Sequence, residues 1–317
     1  MAADQTSNNF SLLDSSLNLY RRTLKRFRPA HRAVHQIMTH GLIPILERNA
    51  HFQTMPDDPF WFRVELLTGR HEPGTTTQIK RLSQPGMTML DIGAHVGYYT
   101  RMCAKIAGDT GQIVAFEPHP RNHKMLRGNL SGQNNVIFQQ LAVAAGEGSA
   151  ELHDYLMMSA SGSLHYDESL RDVQKASLTG IAPRNTDEFQ SQTFTVRTRA
   201  VDDVLTESNI NEVHLIKMDI EGAEMGALRG MKQIIQQSPR LNLIMEYNPM
   251  GLQAFDNDPL DSLREVLAMG FTSMQVIDDK DGSLTDYTDN FDAIHTITET
   301  LKENMGVVNL LFSRDAG

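Results

Sequence analysis

The chain has 317 residues, 40% hydrophobic and 21% charged, the balance of a globular protein with enough length for one large domain or two small ones. A net charge of −10 argues against broad binding to nucleic-acid phosphates, and a lone cysteine, Cys103, excludes an intrachain disulfide. No apolar stretch approaches the ~18 residues of a membrane span, and the N-terminus has no basic segment followed by an apolar core, so the expected location is the cytoplasm.

Residues 1–10 read as disordered. Residues 11–50 carry helix-like apolar spacing, interrupted by Pro29 and Pro44. Residues 1–50 hold seven Lys/Arg against three Asp/Glu, a net +4 that leaves −14 for the rest. The basic cluster Arg21, Arg22, Lys25, Arg26, Arg28 and Arg32 reads first as the solvated face of a helix. An acidic partner, a membrane surface, the protein's own acidic body or self-association into a homo-oligomer are the functional alternatives. The expectation is an N-terminal helical extension over residues 1–58 and a catalytic domain over residues 59–317.

Strand and helix patterns alternate from residue 87 onward. Strands are expected at 87–92, 112–116, 136–143, 214–218, 241–247, 272–277 and 307–313. Helices are expected at 98–107, 120–130, 221–237 and 259–269. Such alternation predicts an α/β fold, a mostly parallel sheet with helices on both faces. The last two strands have no obvious long helix between them and are expected to pair antiparallel at one edge. Residues 144–200 interrupt the pattern with two strands and a polar run over 159–192, which reads as a lid over substrate.

The most informative stretch is MTMLDIGAHVGYYT at residues 87–100. An apolar run ends in Asp91, then turns through Gly93, Ala94, His95 and Gly97 into a helix. Gly93 allows a tight turn and close approach to a ligand. Twenty residues after Gly97 the next strand ends in Glu117 and Pro118. A carboxylate at that tip is placed to accept both ribose hydroxyls of a nucleoside. A dinucleotide fingerprint wants G-x-G-x-x-G to cradle a pyrophosphate, whereas here the glycines stand as G-x-x-x-G with an acid two residues before. Asp91 would repel a pyrophosphate and suit the ammonium and sulfonium of S-adenosylmethionine.

A second cluster, IKMDIEGAE, ends the fourth strand at residues 216–224. Asp219 falls at the strand tip, where open α/β sheets bind ligands. Glu221 and Glu224 suit the start of a helix, whose dipole favours negative charge. The fifth strand ends in Glu246, Tyr247, Asn248 and Pro249. Asp219, Glu246 and Asn248 are thus candidates for a Mg2+ site, or for direct binding of substrate hydroxyls. A neutral hydroxyl needs help losing its proton, and Asp219, Glu246 and His165 are the candidate bases.

DIGAHVGYYT, AFEPHPRN, IKMDIEGAE and MEYNP, in this order, resemble the FkbM-type S-adenosylmethionine-dependent methyltransferases. LTGRHEPGTT at residues 67–76 resembles the lead-in of that family. One departure is His95, where the glycine loop usually carries asparagine. The resemblance implies a class I, Rossmann-like methyltransferase with a seven-stranded sheet. It also implies O-methylation of a small-molecule hydroxyl on a sugar or secondary metabolite, in natural product biosynthesis. By position, Glu72, Asp91, Gly93 and the loop from His95 to Gly97 would hold the methionine end. Glu117 would take the ribose, Leu141 and Ala142 would flank the adenine, and Asp219 would stand beside the methyl group. N- or carboxyl methylation, an NAD-dependent oxidoreductase and a non-catalytic binding module remain the alternatives.

Overall fold

The computed structural model describes residues 36–155, 159, 162–165 and 191–314. The basic cluster at Arg21–Arg32 and most of the expected lid lie outside them. Helices α1 (Ile43–Ala50), α2 (Phe60–Thr68) and α3 (Pro73–Leu82) lead into strand β1 (Thr88–Ile92). Pro44 does not break α1. A π-helical turn, Met38–Leu42, runs directly into it, so the chain is helical on both sides of this proline.

Next come α4 (Tyr98–Ala107), β2 (Gln112–Phe116), α5 (Pro120–Asn129), β3 (Val136–Gln139) and the short β4 (Ala142–Val143). A long hairpin, β5 (Gly148–Tyr155) and β6 (Ser191–Arg199), is followed by α6 (Val201–Glu207) and β7 (Leu215–Met218). The chain continues through α7 (Glu224–Arg229), α8 (Lys232–Gln237), β8 (Asn242–Tyr247), α9 (Pro249–Ala254) and α10 (Pro259–Ala268). It ends with β9 (Ser273–Ile277), β10 (Leu284–Asp286), α11 (Phe291–Asn304) and β11 (Val308–Ser313).

The main sheet runs β10-β9-β11-β8-β7-β1-β2-β3. Strands β3, β2, β1, β7 and β8 are parallel to one another, and β11 enters antiparallel between β8 and β9. The seven expected strands are all present, and the eighth is the three-residue edge strand β10. From β1 the chain winds outward through β2 and β3, then returns to β7 on the other side. The crevice between the ends of β1 and β7 is therefore the switch point at which such sheets bind ligands.

Three expectations are corrected. The run 136–143 is two strands, because the chain leaves the main sheet after Gln139 and pairs β4 with β6 in a separate sheet ordered β4-β6-β5. The helix expected over 221–237 is α7 and α8. The side chain of Asp202 in α6 caps the new start, accepting from Gln233 N and Ile234 N at 2.9 Å each. The link between the last two long strands contains α11, masked in the sequence by its threonines. Its buried Ile294 and Thr298 pack against the sheet, and the Thr298 hydroxyl lies 2.8 Å from Tyr247 Oη.

One sheet face meets α6, α7, α8 and α10 in the larger apolar core, which includes Leu90, Ile216, Met245 and Phe312. The other face, with Met89, Leu215, Ile244 and Leu311, lies under α3 and α4. The segment before residue 59 is joined to this body. Phe52 and Met55 pack with Phe62, Leu66 and Val96, and Arg63 binds Glu47 at 3.1 Å. Among the described residues no helix is long and apolar enough to cross a membrane.

Candidate active site

The site begins with backbone sterics. Gly93, directly after β1, has φ 86°, and a Cβ there would lie 2.0 Å from the carbonyl oxygen of Asp219. The sequence reading assigned this glycine to the ligand. In the fold its first task is to let the ends of β1 and β7 touch. Gly97, with φ 93°, caps α4, and a Cβ would meet Leu126 and Leu130 of α5 at 2.7 and 2.6 Å. It thus admits α5, rather than closing α4 on the sheet.

A cleft partly open to solvent lies over these strand ends. Gly93, His95, Glu117, Pro118, Leu141, Ala142 and Asp219 line it, as the sequence reading expected. His119, Asn122, Val143, Leu152, Leu164 and Glu221 join them. The last group was missed because the β5–β6 hairpin and the start of α5 reach the cleft only through tertiary packing. The HP of AFEPHPRN was the available signal for His119.

Glu117 is held by its own loop. Its Oε2 accepts from His95 N and its Oε1 from His119 N, both at 2.8 Å. Burial pushes its carboxyl up to about 8, against these two N–H bonds, which favour the charged form. The His119 ring caps α5 through Nδ1, which accepts from Arg121 N and Asn122 N, so its Nε2 carries the proton to Asp154, 3.1 Å away. This bond ties the hairpin to the Glu117 loop.

At the other end, polar groups share one face of the sheet. Asp91 of β1 and Lys217 of β7 are register partners, and Asp219 follows on the same face. Lys217 is buried and donates to Asp219 Oδ2 at 3.1 Å, with its Nζ 5.5 Å from the Tyr99 ring centroid. Burial opposes its charge, yet Asp219, Glu72 and Glu246 together push Lys217 upward. Tyr99 Oη donates to Glu72 Oε2 at 2.9 Å. Glu224 caps the turn after β7, accepting from Ile220 N and Gly222 N at 3.2 Å each.

Several candidates do not reach the cleft. Asp91 lies behind it, accepting from Thr100 Oγ1, and burial pushes it up to about 6. Ala94 N donates to the Phe116 carbonyl, and the side chain is core. Glu72 stands in the polar layer under α3. Glu246 is half-buried, its Oε2 is buried without a hydrogen-bond partner, and burial, then Asp219 and Glu221, push it well above its ordinary value. His165 packs on Phe255 with centroids 5.7 Å apart and does not line the cleft. Asn248 is a helix cap, its Oδ1 accepting from Gly251 N at 2.9 Å. The metal reading of Asp219, Glu246 and Asn248 gains no support: Asn248 Oδ1 is taken by Gly251 N, and among the described residues no group of three or more His, Cys, Asp or Glu is arranged to hold an ion.

The donor set fits S-adenosylmethionine. Asn122 Oδ1 is buried at the cleft without a partner and needs a donor from a ligand. Two ribose hydroxyls would add donors to Glu117 and favour its charged form. Leu141, Ala142, Val143 and Leu152 make an apolar slot for a base. Among the described residues no lysine or arginine lines the cleft, which leaves a pyrophosphate without a counter-ion.

This sheet order, glycine turn and acidic strand tips define a class I methyltransferase. A profile of the Methyltransferase FkbM domain matches residues 91–272, more than half of the chain, and the protein belongs to that family. It is therefore an S-adenosylmethionine-dependent methyltransferase. It is 25% identical over 186 residues to 2-O-methyltransferase NoeI of Sinorhizobium fredii, a match covering 55% of this chain and 71% of that protein. It is 28% identical over 149 residues to Methyltransferase 1 of Beauveria bassiana, covering 45% and 57%. A solved S-adenosylmethionine-dependent methyltransferase from Aquifex aeolicus aligns over 77% of this chain and 92% of its own, at 11% identity and a TM-score of 0.39.

Proposed function

We propose that the protein methylates a hydroxyl of a small-molecule acceptor, with Asp219 taking the hydroxyl proton. One observation carries this reading. Of the candidate bases, Asp219 alone lines the cleft, and its Oδ2 is held by Lys217. The likeness to a protein named as a 2-O-methyltransferase supports a hydroxyl as acceptor.

Bound S-adenosylmethionine supplies the activated methyl carbon. The chain supplies position and charge. Glu117 fixes the ribose, the slot from Leu141 to Val143 and Leu152 receives the base, and the hairpin walls exclude water. Asp219 accepts the proton as the hydroxyl oxygen takes on the methyl group, a role worth ~10²–10⁴-fold in rate. Glu246, raised by its burial and its acidic neighbours, does not line the cleft. Asn248 Oδ1 is committed to Gly251 N and Asp219 Oδ2 to Lys217, which favours direct base catalysis over Mg2+.

Titration calorimetry tests the cofactor. S-adenosylhomocysteine should bind and NAD should not; the reverse result would overturn the assignment. Mass spectrometry of hydroxylated acceptors incubated with S-adenosylmethionine should show single methyl additions that persist in excess chelator. Activity abolished by chelator and restored by Mg2+ would reinstate the metal, and products methylated only on nitrogen or carboxylate would replace the hydroxyl.

A further inference from the structure

Ser159, which lines the cleft, uses every polar group it has and so joins Asp58, Asn122 and His95. Its N–H donates to Asp58 Oδ1 at 2.8 Å and its hydroxyl to Asp58 Oδ2 at 2.9 Å. Its carbonyl accepts from Asn122 Nδ2 at 2.9 Å. His95 Nε2 lies 2.5 Å from the same hydroxyl oxygen. With the hydroxyl proton committed to Asp58, the imidazole must donate, which places the ring proton on Nε2. The ring is neutral, because burial pushes His95 down to about 3.

The backbone supports the same picture. His95 has φ 51°, a left-handed conformation that asparagine adopts more readily than histidine. The longer imidazole reaches Ser159 from there, beside the Phe62 ring, with centroids 6.0 Å apart. His95 N is also one of the two donors that orient Glu117. The chain Asp58, Ser159, His95, Glu117 is therefore continuous, running from the turn before α2 to the ribose end of the cleft. Asp58 and Ser159 are 101 residues apart in sequence, so only the folded protein assembles it.

We propose that Asp58 and Ser159 are positioning residues for the glycine loop, acting through His95 to hold the loop in its cofactor-binding conformation and to slow ligand dissociation. This rests on the assignment of S-adenosylmethionine to the cleft. Neither residue takes part in methyl transfer.

The probe is S-adenosylhomocysteine, followed by calorimetry and stopped-flow dissociation from the full chain. Ser159→Ala and Asp58→Ala should each raise the dissociation rate about tenfold, the worth of one such hydrogen bond. The double variant should be no faster than either single one, since both break the same chain. Ser159→Thr keeps the hydroxyl and should restore a near wild-type rate. A merely structural role would lower the melting temperature without this non-additivity or rescue. If Asp58→Ala does not fold, the pair Ser159→Ala and Ser159→Thr decides alone. Folded Ser159→Ala with wild-type dissociation, or Ser159→Thr as fast as Ser159→Ala, overturns the proposal. A wild-type protein that does not bind S-adenosylhomocysteine instead overturns the cofactor assignment beneath it.

Discussion

Glu117, buried, and Glu246, half-buried, are two glutamates at the C-terminal tips of parallel strands, and the fold treats them in opposite ways. Glu117, just past β2, receives two backbone N–H groups and lines the cleft. Glu246, in β8, faces Asn309 across the β11 register, keeps one oxygen without a partner and sits among carboxylates. Burial raises both. The comparison teaches that a carboxylate at a strand tip becomes a ligand group where the backbone supplies donors for its charge. Where such donors are missing, only the nearby Lys217 offsets the cost of burying its charge. Asp219 lies between these cases, held by a lysine and lining the cleft.

The largest effect should come from the intermediate case. Asp219→Asn keeps shape but removes charge and basicity. On an acceptor that turns over, kcat should fall by ~10²-fold or more, with little change in S-adenosylhomocysteine affinity. Wild-type turnover in this variant would move the base elsewhere and dissolve the distinction between Asp219 and Glu246.

Glu117→Ala should come next. It removes an acceptor for two ribose hydroxyls, and affinity for S-adenosylhomocysteine should drop at least about tenfold while the fold is retained, since such charge-assisted bonds contribute ~1.5–3 kcal/mol each. Unchanged affinity by calorimetry would mean that its two backbone bonds serve only the loop.

The smallest effect should come from Glu246→Gln, which replaces the carboxyl by a near-isostere that cannot ionise. Kinetics should change less than for Asp219→Asn, and the informative variable is pH. The folded-state pKa of Glu246 lies above its unfolded value, so its contribution to stability is full below ~4.3 and is lost as pH rises. Thermal melts of the wild type should therefore lose ground to Glu246→Gln as pH rises above ~4.3, by about 2–4 °C for each ~1 kcal/mol. Glu224, raised by burial to about 7, and Glu221, raised by burial and then by Asp219 to about 8, titrate in the same window and remain in both proteins. Parallel melting curves would show that Glu246 is charged in the fold.

The architecture could be read in the sequence because it is periodic. Apolar runs of strand length, Gly93 and Gly97 at a turn, and carboxylates at strand ends are local patterns, and each parallel strand keeps its pattern when it joins the sheet. The seven main strands, the ends of β1 and β7 as the ligand edge, and Glu117 with Asp219 followed from such patterns. The antiparallel edge pair was legible too, whereas α11 was not. Its helix is rich in β-branched residues with weak intrinsic preference for that state, and packing of Ile294 and Thr298 decides it.

Other features are decided by contacts between distant segments, which no local pattern encodes. The departure of β4 from the main sheet depends on β6. The roles of Asn248 as a cap and of Glu246 as a half-buried acid depend on which donors their neighbours leave free. The linkage of Asp58, Ser159 and His95 joins three loops far apart in the chain. A carboxylate's identity is written in the sequence, but its charge is set by the dielectric and the hydrogen-bond donors around it, and those exist only in the folded protein.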